Sequence, residues 1–378
     1  MARIERTEGQ SVRYRLVSAA GEPVSIVQDF LAHLLARGCS PNTVAAYAFD
    51  LRHLWTFLEA SGVPWNRMLP PDAIGLLAHL RSVVVRRRRR AEPSLLAAGG
   101  DRVLGLSAAA INRALAAAAS LYEFAIVAGR LDGPNPLACG EHKNAVPVTD
   151  RHRPFLDGIA RRSPIRRGMR VKTALRLPRP LEPEQVAALV GCLRCKRDLA
   201  LVRLMLDGGL RPGEALALRV ADVAYGRRRV VIRHDTEHPK GVRPKSRTER
   251  VVDLHEPETL AAVADYMMSE RPVEADSPYL FLVGGHGRRR LEPLSYAALA
   301  KLFARAAARA GIREAWVTPH ALRHTHATRM WEGGMRELAL QRRLGHASPV
   351  STRIYTRVSD AAVVAEYRRA VGLDREVP

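Results

Sequence analysis

Apolar residues recur at helical spacing four times in the first third of the chain. Ile26, Val27, Phe30, Leu31, Leu34 and Leu35 make one stripe, which starts near Val24 and is ended by Gly38. Ser40-Pro41-Asn42 restarts the pattern, with Ser40 placed to cap a second helix and Pro41 suited to its first turn. Val44, Tyr47, Leu51, Leu54 and Leu58 form that helix's apolar face. A third helix is expected from Pro71 to about Val85. A fourth runs from Ser107 to about Ala128, with Ile111, Leu115, Ala118, Tyr122 and Ala125 on one side. Four amphipathic helices with short connections imply a small helical domain.

Periodicity weakens from Pro134 to Pro180, where Pro, Gly and Arg dominate, as in an extended basic linker. It resumes as helices over 182–193, 197–206 and 211–218. Two strands, 228–232 and 250–254, then flank a turn-rich basic connection, and helices are expected over 256–270, 295–310, 319–331 and 336–343. The fold class that follows is mainly α with a small antiparallel β-sheet in the C-terminal domain. The chain divides into an N-terminal extension (1–22), a helical domain (23–140), a basic interdomain linker (141–180) and a second domain (181–378). No internal repeat is evident.

Length and composition fit this division, since 378 residues with 47% hydrophobic content suit two or three cores. The net charge of +22 points to a polyanionic partner, most simply nucleic acid. A membrane surface is disfavoured because no basic amphipathic anchor helix is present. The sequence shows no uncharged apolar run of spanning length, and its N-terminus lacks the apolar stretch of a secretion signal; a cytoplasmic setting is expected. Arginine outnumbers lysine 54 to 6. GC-rich codons account for the amount of arginine, but not for where the lysines sit. Cys39, Cys139, Cys192 and Cys195 are scattered, and Cys192-Leu-Arg-Cys195 is a lone CxxC; reduced cysteines are expected, with no metal and no cofactor. The run Arg86–Arg90 reads equally as a solvated loop or as a contact with phosphates.

Four segments could carry chemistry: Gly209-Leu210-Arg211-Pro212-Gly213-Glu214, Pro244-Lys245-Ser246-Arg247, His320-Ala321-Leu322-Arg323-His324-Thr325, and Leu344-Gly345-His346 with Tyr355 nine residues on. Each is weak alone. In this order the set resembles the tyrosine recombinase (phage integrase) family across the whole C-terminal domain. Ser40–Tyr47 and its helical surroundings resemble that family's core-binding, SAM-like domain. The resemblance implies a helical DNA-binding domain followed by a catalytic domain that cuts and rejoins duplex DNA.

The chemistry can be stated from the residues. Resealing DNA without a cofactor requires the phosphodiester energy to be stored covalently, and a tyrosine oxygen attacking phosphorus does this. The resemblance implies a 3′-phosphotyrosine and makes Tyr355, within Thr352-Arg-Ile-Tyr-Thr356, the nucleophile in preference to Tyr296 or Tyr367. Arg211 and Arg323, permanently charged and forked, suit the nonbridging oxygens. His346 is a further donor and His320 a proton acceptor or donor near the nucleophile. The leaving 5′-oxygen needs a proton, which lysine can supply and arginine cannot. Lys245, five residues before Arg250, matches the family's catalytic lysine better than Lys240, although Pro239 and Pro244 interrupt a longer connection than the family pattern. Glu214 is expected to support Arg211. His320 and His324 share a helical face as metal ligands do, yet no glutamate follows His320 and Arg323 would repel a cation. The expected partner is double-stranded DNA at a specific crossover site, bound by a homo-oligomer, a tetramer on paired sites. The alternatives are a type IB topoisomerase-like enzyme, or a DNA-binding regulator whose site is unused.

Overall fold

The structure, a computed structural model, describes residues 1–7, 12–86, 103–138, 169–173, 179–235, 237–242 and 249–346, with Thr352 and Val371. Lys245, Tyr355, Tyr367, Cys139 and most of the Arg86–Arg90 run lie outside the described residues. The chain forms two compact units, Met1–Leu175 and Arg176–Pro378.

In the first unit four helices, α1 (Ser25–Ala36), α2 (Pro41–Ser61), α3 (Pro70–Ser82) and α4 (Ala108–Val127), enclose a core built on Phe30, Leu31, Leu51, Leu76 and Tyr122. Ser40 caps α2 by accepting the Thr43 N–H at 3.1 Å, with Pro41 in the first turn as its fixed φ favours. Ser107 caps α4 through the Ala110 N–H at 3.2 Å. Asp50 on α2 is buried and takes two bonds from Arg113 on α4, at 2.6 and 3.0 Å, which fixes the register of the two helices. By length and composition α4 could cross a membrane, but half of its apolar window is buried within the unit, where it acts as a core helix.

Two hairpins add to the expected helices. β1 (Arg3–Arg6) pairs antiparallel with β2 (Tyr14–Val17), and Leu16 enters the same core. β3 (Val84–Arg86) pairs with β4 (Val103–Gly105), so the third helix stops at Ser82 rather than reaching Val85. The β-branched run Val83-Val84-Val85 favours a ladder over another helical turn. Within the stretch expected to be linker, Val171 exchanges two 2.9 Å bonds with the Asn112 side chain on α4.

The second unit carries α5 (Pro183–Gly191), α6 (Lys196–Asp207), α7 (Pro212–Leu216), α8 (Pro257–Ser269), α9 (Tyr296–Arg309), α10 (Pro319–Glu332) and α11 (Glu337–Leu344). Its sheet is antiparallel with order β5 (Val223–Ala224), β6 (Arg229–Ile232), β7 (Arg250–Asp253). The two expected strands are its central strand, β6, and an edge strand, β7, while β5 is too short to show as a pattern. The core centres on α6, where Leu201, Val202, Leu204 and Met205 are fully buried. This fold is mainly α with small antiparallel sheets.

Candidate active site

The site begins where α6 ends. Gly208 and Gly209 break the helix, and Gly209 adopts φ 63°, which favours glycine. A Cβ there would lie 2.4 Å from the His326 ring. The chain then turns through Arg211, the residue before α7. Its N–H donates to Glu214 Oε2 at 2.8 Å and its guanidinium to Oε1 at 2.7 Å, so one carboxylate caps the helix and holds the arginine.

Glu214 has no exposed side-chain surface, and Arg250 at the start of β7 grips it with a second fork, at 3.0 and 2.7 Å. Arg323 on α10 lies 3.8 Å away. Burial alone would raise the carboxyl pKa, but the hydrogen bonds and charge of Arg250, then the charges of Arg211 and Arg323, hold it down at about 2.

The C-terminus of α11 supplies the remaining fixed acceptors. A helix ends in carbonyls without intrahelical partners, and its dipole places negative potential there. Leu344 O accepts from Arg323 at 2.6 Å and from Arg211 at 3.3 Å, while Gly345 O accepts from Arg211 at 3.1 Å. Arg323 also donates to Gly209 O at 2.7 Å, which links the two arginine-bearing segments directly. Gly345 turns out of the helix at φ 63°, and a Cβ there would meet Arg250 Nη1 at 2.7 Å.

His346 follows, its N–H bonded to Gln341 O at 3.1 Å and its Nδ1 2.8 Å from the Thr352 hydroxyl. Burial, then the charges of Arg323, Arg211 and Arg250, lower its pKa to about 3. His320 is exposed in the first turn of α10, three residues before Arg323. Burial, His320 and Arg323 lower the neighbouring His324 to about 4. Among the described residues no group of three or more His, Cys, Asp or Glu could hold a metal ion. A cleft of about 860 Å³ opens beside this cluster, lined by Arg250, Val251, Leu338, Gln341, Arg342 and His346 among others.

Arg211, Arg323 and His346 are thus brought together around Glu214, and His320 shares a helix with Arg323. Lys240, the alternative lysine, is engaged by Glu292 at 2.5 Å. Three roles within the cluster escaped sequence reasoning. Arg250 served only as a spacing marker there, although a charged residue opening an apolar strand was a usable signal. His326 accepts through Nε2 from Arg343 Nε at 3.0 Å; arginine only donates, so Nδ1 carries the proton and donates to Leu206 O at 2.9 Å. Arg343 also donates to Asp207 O at 3.1 Å and Asp253 O at 3.2 Å, tying the ends of α6 and β7 to α11. Nothing in a chain so rich in arginine marked Arg343 out.

Comparison with known proteins agrees in both units. Residues 179–362 match the family model described as the phage integrase family, and 27–92 match the phage integrase N-terminal SAM-like domain. Tyrosine recombinase XerC of Chromohalobacter salexigens is 30% identical over 351 residues, covering 91% of this chain and 94% of that one. Transposase A from transposon Tn554 of Staphylococcus aureus is 25% identical over 367 residues, covering 94% and 93%. Among solved structures, the Tn1549 transposon integrase in complex with transposon right end DNA superposes with TM-score 0.60 at 18% identity, covering 92% of this chain and 99% of that one.

Proposed function

Because the chain belongs to the tyrosine recombinase (phage integrase) family, whose members break and rejoin DNA strands, we propose that the Glu214-centred cluster is the phosphate-binding half of its recombinase active site. The observation that carries this is the fixing of Arg211 and Arg323. Two guanidiniums are oriented by one buried carboxylate and by the carbonyls of Gly209, Leu344 and Gly345 before any substrate arrives. Preorganised charge of this kind favours a transition state in which negative charge builds on the nonbridging oxygens.

In the proposed reaction Tyr355 Oη attacks phosphorus as the P–O5′ bond breaks. The phenol proton passes to His320 or to water, and the 5′-oxygen takes a proton from Lys245, leaving a 3′-phosphotyrosine and a free 5′-hydroxyl. Attack by a 5′-hydroxyl from the partner strand reverses these steps and restores Tyr355. His346, kept neutral at neutral pH by burial and then by the arginines around it, acts as a hydrogen-bond donor to the phosphate. Of the solved structures of similar fold, the XerH site-specific recombinase is described as bound to a palindromic difH substrate and the Tn1549 integrase as in complex with transposon right end DNA. Duplex DNA at a crossover site, bound by several protomers, is the partner proposed for this chain, which places it with the DNA of the cytoplasm. Relatives of both transposase and Xer type support a site-specific recombinase of a mobile element or of chromosome resolution.

The test is covalent trapping. The full chain is incubated with duplexes tiling the DNA that flanks its gene, and the reaction is stopped in denaturant. Wild type is expected to leave protein on 3′ ends at one sequence, which identifies the crossover site, whereas Tyr355→Phe leaves none. An adduct that persists in Tyr355→Phe shows that the nucleophile lies elsewhere.

A further inference from the structure

The segment bearing Lys245 leaves β6 at Ile232 and returns at Arg250, and several residues of its described part are tied down. Arg233 Nε donates to the buried Asp222 at 2.6 Å. Asp235 is buried, and one of its oxygens accepts from Arg219 Nη2 at 2.9 Å and from the Tyr279 hydroxyl at 3.0 Å. Its other oxygen accepts the Glu237 N–H at 2.7 Å. His238, also buried, packs against the Tyr279 ring with centroids 4.4 Å apart, and its Nδ1 accepts the Lys240 N–H at 3.2 Å. Val242 then enters the core, three residues before Lys245. At the returning end Arg250 pairs with Ile232 in the ladder and chelates Glu214.

This is more anchorage than a hairpin connection needs. Connections usually lie on the surface with few buried polar contacts, and burying a carboxylate carries a desolvation cost. Burial would raise the Asp235 pKa, but the Glu237 N–H and the bonds from Arg219 and Tyr279 lower it, so the anchor is the charged form. The mount is also rigid. Arg219 and Tyr279 face each other in a β-bridge, with Val220 N bonded to Pro278 O at 2.9 Å and Leu280 N to Leu218 O at 2.8 Å. Arg219 sits two residues beyond the helix cap of α7, the helix that Arg211 opens. The lysine-bearing connection and a phosphate arginine therefore share one piece of scaffold.

We infer that Asp235, with Arg219, Tyr279 and His238, forms a positioning device that holds the connection so that Lys245 meets the leaving 5′-oxygen. This rests on the reading of Lys245 as the general acid. A lysine on a flexible four-carbon stem protonates the oxygen only when held within hydrogen-bond reach, so loosening the base of its connection removes proton delivery without removing the lysine.

The test uses duplexes carrying the crossover sequence recovered by covalent trapping, with either oxygen or sulfur bridging phosphorus to the 5′ carbon. Tyr355 attack breaks P–O5′ in the first, and the alkoxide must be protonated. In the second it breaks P–S5′, and the thiolate leaves without a proton because its conjugate acid has a pKa of only about 8.5. Asp235→Asn and Tyr279→Phe are each expected to slow cleavage of the oxygen duplex by about 10- to 100-fold, less than the full ~10²–10⁴ typical of general acid catalysis because the lysine itself remains. On the sulfur duplex both variants should cleave within about threefold of wild type, and Lys245→Ala should show the same signature with a larger oxygen defect. Melting curves of the full-length variants establish that they are folded. If Lys245→Ala is rescued by sulfur while both variants are equally slow on the two duplexes, or slow on neither, the positioning inference is overturned alone. If Lys245→Ala is not rescued, the lysine assignment itself fails and the inference with it.

Discussion

Glu214 neutralises charge on three guanidiniums while exposing none of its own side chain, so its removal leaves Arg211, Arg250 and Arg323 without their shared counter-ion. Breaking a buried ion cluster by deleting one partner typically costs about 3–5 kcal/mol, and Glu214→Gln is expected to lose stability on that scale in urea unfolding. A variant within about 0.5 kcal/mol of wild type would contradict the account of the cluster. The partly and fully buried histidines near this cluster set an acid limit. His324, His326 and His346 have folded pKa values of about 4, about 3 and about 3, below their ordinary 6.5. The unfolded chain therefore takes up protons first, and stability present above pH 6.5 is lost as the pH falls toward those values. Glu214, at about 2 against an ordinary 4.5, adds a second loss only below pH 4.5. The urea midpoint should fall from about pH 7 to about pH 5, with a smaller fall in His326→Gln, whose amide does not titrate.

At the scale of elements, the site is made by ends. Arg211 stands at the start of α7, His346 follows the end of α11, and Arg250 opens β7. Helix ends offer unpaired backbone groups, and here the carbonyls closing α11 orient two arginines that belong to other elements. Gly345 lets the chain leave α11 in a left-handed conformation against the Arg250 guanidinium. Gly345→Ala adds backbone strain of order 1–3 kcal/mol and pushes Arg250 from Glu214. Thermal unfolding should register the lost stability. DNA cleavage should fall more than DNA binding does, because the charges remain while their geometry is lost. An alanine variant that cleaves as wild type would mean the Arg250–Glu214 fork is dispensable.

On the scale of the whole molecule, each unit has its own buried core, built on Tyr122 and Phe30 in one and on Phe281 and Phe303 in the other. Fragments 1–175 and 176–378 are each expected to unfold cooperatively, as two calorimetric transitions in the full chain or one in each fragment. A net charge of +22 makes non-specific DNA binding an ionic process. Its affinity should drop by about 10³–10⁵ between 50 and 200 mM salt if about 6–10 phosphates are neutralised, as measured by titration of a labelled duplex of unrelated sequence. A nearly flat salt dependence would place the positive charge away from the DNA.

Periodicity alone determined the helices, because stripes such as Ile111, Leu115, Ala118 and Tyr122 need a buried face and have one way to obtain it. The motifs bearing Arg211, Arg323 and His346 were likewise legible, and the structure brings these three together around Glu214, whereas Tyr355 lies outside the described residues. Short elements were not: β5 has two residues, and β3 was absorbed into the helix before it, because neither is long enough to express a period. Contacts between distant segments were hidden for a different reason. That Arg250 shares Glu214 with Arg211, that Arg343 fixes the tautomer of His326, and that Asp235 meets Tyr279 across 44 positions are matters of packing. In a chain with 54 arginines, residue type cannot say which guanidinium is buried against which carboxylate; only the closing of the core around Glu214 decides it.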